Sequence, residues 1–115
     1  FSKVLYSNSY IQLEPGAKYS RLVLHVDVDG NDVDLRINNK DDSNHPIIIH
    51  SVLLKESDGL KKITVDITGM SMLSVDVMTA KPNETAVVRI AADQSYYVNE
   101  QTGQEGVVGF DVFED

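Results

Sequence analysis

Apolar and polar positions alternate with a period of two along most of this chain. In Lys61–Ile67, Ile63, Val65 and Ile67 fall on one side, with Lys62, Thr64 and Asp66 on the other. In Met72–Met78, Leu73, Val75 and Val77 oppose Ser74 and Asp76. Ser20–Val28 sets Leu22, Leu24, Val26 and Val28 against Arg21, Val23, His25 and Asp27, and Asp32–Asn38 returns with Val33, Leu35 and Ile37. A period of two turns one side of a strand to a core and the other to water. Asp29-Gly30-Asn31 between the last two stretches is a strong hairpin signal.

Shorter strands are expected at Phe1–Tyr6, Ser9–Leu13, Thr85–Ala92, Ser95–Val98 and Val107–Phe113. Ile47–Leu54 is apolar throughout except for His50 and Ser51, which predicts a central strand covered on both faces. Turns fall at Glu14-Pro15-Gly16-Ala17, around Asp58-Gly59 and at Ala80–Glu84, with polar loops at Asn39–Pro46 and Asn99–Gly106. No apolar pattern of helical period persists over three turns. About nine short strands with regular turns predict an all-β fold, a two-sheet antiparallel β-sandwich or jelly roll, with a small closed barrel as the alternative.

Composition narrows the picture. The 115 residues suit a single domain with one core, spanning 1–115. A net charge of -8 argues against nucleic acid, which needs a basic stripe, and against anionic membranes. No apolar run approaches the ~18 residues of a membrane span, so no membrane insertion is expected. The absence of cysteine excludes disulfides, thiolate zinc sites and thiol catalysis. Phe1 is not an initiator methionine, which suggests a module excised from a larger multidomain protein, with the parent's other domains among its partners.

Catalytic signatures are missing. His25, His45 and His50 lie on separate segments without metal-ligand spacing. Gly69-Met70-Ser71-Met72-Leu73 lacks the final glycine of a nucleophile elbow. The expectation is therefore no enzyme. Two constellations could bind. Asp29, Asn31 and Asp32, joined by Asp41 and Asp42, supply the oxygen ligands that a structural calcium ion wants, although Asp29-Gly30-Asn31 also serves simply as a turn. Tyr96 and Tyr97 are adjacent in a strand and so point to opposite faces. Tyr97 is the expected exposed ring for stacking on a sugar, with Arg89, Asp93 and Asn99 as polar partners.

Two segments carry a resemblance. Tyr10-Ile11-Gln12-Leu13 is followed by Gly16-Ala17-Lys18-Tyr19-Ser20-Arg21-Leu22. Later come Val52-Leu53-Leu54-Lys55-Glu56-Ser57, then Thr64-Val65-Asp66-Ile67-Thr68-Gly69, then Leu73-Ser74-Val75-Asp76-Val77. Over about half of its length the chain resembles the galactose-binding-like carbohydrate-binding modules of the NPCBM type. That resemblance implies a jelly-roll sandwich on a secreted protein, and it transfers no ligand residue.

Together these readings predict a non-catalytic glycan-recognition module of a secreted or cell-surface protein, tethering an attached domain to glycans or glycoproteins. The alternative is a protein-interaction, adhesion, receptor-binding or spacer domain of a surface protein or toxin. A polar cleft with one aromatic ring would favour the first, and an exposed apolar patch on an unpaired edge strand the second.

Overall fold

The structure, a computed structural model, describes residues 2–42 and 44–109. Ten strands follow one another: β1 (Ser2–Tyr6), β2 (Ser9–Leu13), β3 (Arg21–Gly30), β4 (Val33–Asn39), β5 (Ile47–Leu54), β6 (Lys61–Asp66), β7 (Leu73–Thr79), β8 (Ala86–Ala91), β9 (Tyr96–Val98) and β10 (Glu105–Val107). The only helical pieces among the described residues are two 3₁₀ turns, Glu56–Asp58 and Ala92–Gln94. The predicted closing strand Val107–Phe113 is instead β10, which ends at Val107. Residues 110–113 of that expectation lie outside the described residues.

The strands form two antiparallel sheets packed as a sandwich. One is four-stranded, in the order β2-β7-β4-β5. The other is organised around β3, the longest strand. Arg21–Val23 pair with β6 and with β9 at once, and Val26 pairs with both β6 and β8. A strand has two edges, so β8 and β9 share the edge of β3 opposite β6. They form one strand interrupted by Ala92–Gln94. β1 and β10 then pair with the outer edges of β8 and β9.

The alternation read from the sequence is what fills the space between the sheets. Leu22, Leu24, Val26 and Val28 of β3 meet Val33, Leu35 and Ile37 of β4 and Leu73, Val75 and Val77 of β7 in one buried cluster. Ile11, Leu13, Ile63, Val65, Val88 and Ile90 belong to the same cluster. At the β3–β4 turn, Gly30 adopts φ +108, and a Cβ there would meet the Thr85 carbonyl at 3.0 Å. The neighbouring Asn31 donates its side-chain amide to that same carbonyl at 2.9 Å.

One element departs from expectation. Among the described residues β5 pairs with β4 alone, at the edge of its sheet and not at the centre. Val52 and Leu54 lie opposite Leu35 and Val33 and reach the core, but the other side of the strand faces outward. A continuous apolar run does not by itself distinguish a strand covered on both faces from an edge strand with an exposed apolar face.

Candidate functional site

Tyr97, the expected stacking ring, is buried, with 4% of its surface exposed. It lies opposite Leu22 on the inner side of β3 and stacks on Tyr19 with ring centroids 5.1 Å apart. Burial pushes its phenol well above the ordinary tyrosine range. The assignment of an exposed Tyr97 is therefore corrected: Tyr96, which pairs with Val23, is the partly exposed ring.

The polar partners expected around that ring are dispersed. Arg89 lies on β8 and is bound to Asp27 of β3, Nε to Oδ1 at 2.9 Å, with Asp29 3.9 Å away. The hydrogen bond to Asp27 and its charge raise the guanidinium pKa further. Asn99 organises its own loop, accepting N–H bonds from Gln101 and Thr102 and donating to the Lys18 carbonyl. It lines a shallow groove of about 320 Å³ with Lys18, Tyr19 and Glu100. Asp93 does share a groove with a tyrosine, but that tyrosine is Tyr96. These two share a separate groove of about 380 Å³ with Ser95, Glu105, Gly106 and Val107.

That second groove is built by the interruption between β8 and β9. Val26 pairs with Ile90, yet Val23 pairs with Tyr96, so three residues are looped out of the ladder. The buried Ser95 closes the gap. Its Oγ accepts the His25 backbone N–H at 3.2 Å and donates to the Ala91 carbonyl at 2.8 Å. His25 Nδ1 lies 2.7 Å from the Gln94 carbonyl, a second tie across the same break. The loop thus presents Asp93 and the Tyr96 ring at the surface on a fixed support.

The five oxygen-bearing residues expected to gather around calcium are not brought together. Asp29, Asn31 and Asp32 lie at the β3–β4 turn, while Asp41 and Asp42 follow the far end of β4, about 20–25 Å away along a seven-residue strand. Each group has other work. Both oxygens of Asp41 accept from the Ser71 N–H at 3.0 Å, and Oδ1 also accepts from Met72 N–H at 2.8 Å. Asp42 accepts from the Asn44 N–H and contacts His45. Among the described residues, no group of three or more His, Asp or Glu could hold a metal ion.

The sequence reading missed the outer edge of the four-stranded sheet. Along β5, Ile47 is 61% exposed, Ile48 53% and Leu53 51%. The pairing register shifts between Ile37 and Asn38, so that Leu53 lies opposite Asp34, Ser51 opposite Arg36 and Ile48 opposite Asn38. Asp34, Arg36 and Asn38 alternate with the buried Val33, Leu35 and Ile37, so all three pairs face outward. The bulge therefore carries Ile48 to the same side as Leu53. Beside them the polar groups of the sheet satisfy one another. Asp34 accepts from Arg36 Nε at 2.8 Å and from the Ser51 hydroxyl at 2.9 Å, and Asn38 donates to Ser74 and Asp76, each at 3.0 Å. That margin presents apolar side chains, and among the described residues no strand pairs with its outer edge.

No protein-family model, curated protein or solved structure matches this chain. Two surfaces stand out in the molecule, the β5 edge and the Tyr96 groove.

Proposed function

We propose that this domain is a non-catalytic interaction module that docks a partner protein along the open edge of β5. The carrying observation is an eight-residue edge strand without a charged side chain, Ile47–Leu54, presenting three half-exposed large aliphatics. Edge strands are ordinarily blunted by lysine, proline or short length, and contiguous exposed apolar surface marks interaction sites. Covering the exposed halves of Ile47, Ile48 and Leu53 is worth about 1 kcal/mol each. That is small against the cost of association, so backbone pairing must contribute and the contact should be modest in affinity. The test is an unbiased selection of twelve-residue segments from a displayed random library. Recovered binders should lose affinity for the Leu53→Lys variant. Binders indifferent to Leu53→Lys, or none after repeated rounds, would count against a β5 docking edge.

A second reading is glycan binding at the groove between the β8–β9 interruption and β10. It is favoured by the partly exposed Tyr96 ring lying with Asp93 and Glu105 in one depression, a stacking surface beside two hydroxyl acceptors. The resemblance to galactose-binding-like modules supports it. A glycan array should then give binding that Tyr96→Ala abolishes, and a blank array with the isolated domain would set it aside. Neither reading calls on calcium.

A further inference from the structure

We infer that the groove beside Tyr96 takes an amino sugar, a glycan unit carrying a free ammonium group. This rests on the glycan reading of that groove and adds the chemical class of the ligand. The ring and its neighbours share one side of the sheet. Tyr96 pairs with Val107, and Glu105 stands two residues before Val107, on the same side of β10. Asp93 precedes the ring in the looped-out segment, whereas Glu105 pairs with Val98, two residues beyond the ring. Two carboxylates therefore bracket the ring along β9, and Val107, 85% exposed, adds an apolar wall.

Charge selects among sugars. No Lys, Arg or His lines the groove. Asp93 and Glu105 are exposed, and among the described residues neither forms an ion pair. Arg21, the cation that lies across Val98 from Glu105, is held by Glu100 at 2.8 Å. An acidic sugar would meet two unneutralised carboxylates on a chain of net charge -8. A neutral sugar would offer them hydroxyls, which only replace the water each carboxylate already binds. An ammonium offers a charge-assisted hydrogen bond, and the face of a tyrosine ring attracts the same cation. Ring, carboxylates and net charge all favour the amino sugar.

The probe is the chitosan tetramer, four glucosamine units, compared with the chitin tetramer, its uncharged N-acetylated counterpart, and with tetralysine. Each is titrated into the full chain at about pH 5.5, where carboxylates are ionised and amines protonated, while backbone amides are followed by NMR. The chitosan tetramer should shift amides of Ala92–Tyr96 and Glu105–Val107. It should bind at least about fivefold tighter than the chitin tetramer and weaken several-fold as salt rises from about 50 to about 500 mM. Asp93→Asn combined with Glu105→Gln, both at exposed positions, should remove that preference, and Tyr96→Ala should weaken the binding that remains. Equal or tighter binding of the chitin tetramer in the groove overturns the ammonium assignment and leaves the glycan reading standing. A preference that survives the double variant overturns it as well. Tetralysine matching the chitosan tetramer at the same amides overturns the amino sugar in favour of any cation. Binding of none of the three in the groove overturns both the amino sugar and the glycan reading.

Discussion

Ser95→Ala is the substitution that most sharply probes how the β8–β9 interruption is held. Ser95 is 5% exposed, and its hydroxyl stands in for a missing ladder partner by accepting the His25 N–H and donating to the Ala91 carbonyl. Alanine removes both bonds and leaves the His25 N–H facing a buried methyl group. An unsatisfied buried donor costs about 1–3 kcal/mol. Unfolding entropy of about 2.1 cal/mol/K per residue gives about 240 cal/mol/K for a chain of 115, so the midpoint should fall by about 4–12 °C. Differential scanning calorimetry measures the shift, and amide exchange should show His25 losing protection while Leu24 keeps its own. Asp93→Ala, an exposed neighbour, is the control and should stay within about 0.5 kcal/mol. A midpoint shift below about 1 °C with His25 still protected would refute the view that Ser95 closes the ladder.

Two further outcomes follow from local geometry. Gly106→Ala should lower the urea midpoint by the equivalent of about 1–3 kcal/mol, because its Cβ would sit 2.6 Å from Tyr19 Cζ and nearer still to the hydroxyl; an unchanged midpoint and near-ultraviolet tyrosine signal contradict that packing. Asp66 accepts from the Thr68 N–H and hydroxyl, which hold its carboxyl below the usual 3.8. Its contribution to stability is therefore present above the ordinary value and fades as pH falls through the lower folded one, so wild type and Asp66→Asn should converge in strong acid. Carboxyl ¹³C titration at or above the ordinary value would contradict the assignment.

Much of the fold is legible in the sequence, because most strands have one wet and one dry face. β3, β4, β6 and β7 each alternate, and Asp29-Gly30-Asn31 turns the chain where expected, but the predicted hairpin does not form: β3 and β4 do not pair, and the turn carries the chain from one sheet to the other. The candidate sites were harder to read for two physical reasons. In β5 the run Ile-Ile-Ile-His-Ser-Val-Leu-Leu has no alternation to orient it, and strict parity would put Ile48 and Leu53 on opposite sides. Only the register shift beside Asn38 brings them together. At Tyr96 and Tyr97 parity correctly separates the two rings but does not say which is inside. That is fixed by pairing with Leu22, which depends on three residues being looped out upstream. The acidic residues differ again: Asp29–Asp32 and Asp41–Asp42 are near in sequence but not in space, because β4 runs between them.

Amide hydrogen exchange on the isolated domain, residue by residue along β5 and at several protein concentrations, tests an open edge most directly. The expected pattern is alternation within Ile47–Leu54, with amides aimed at β4 protected and those aimed outward exchanging almost as in free peptide, at every concentration. Protection of every β5 amide that does not change on dilution would mean that the chain already covers this edge, and the docking proposal would fall.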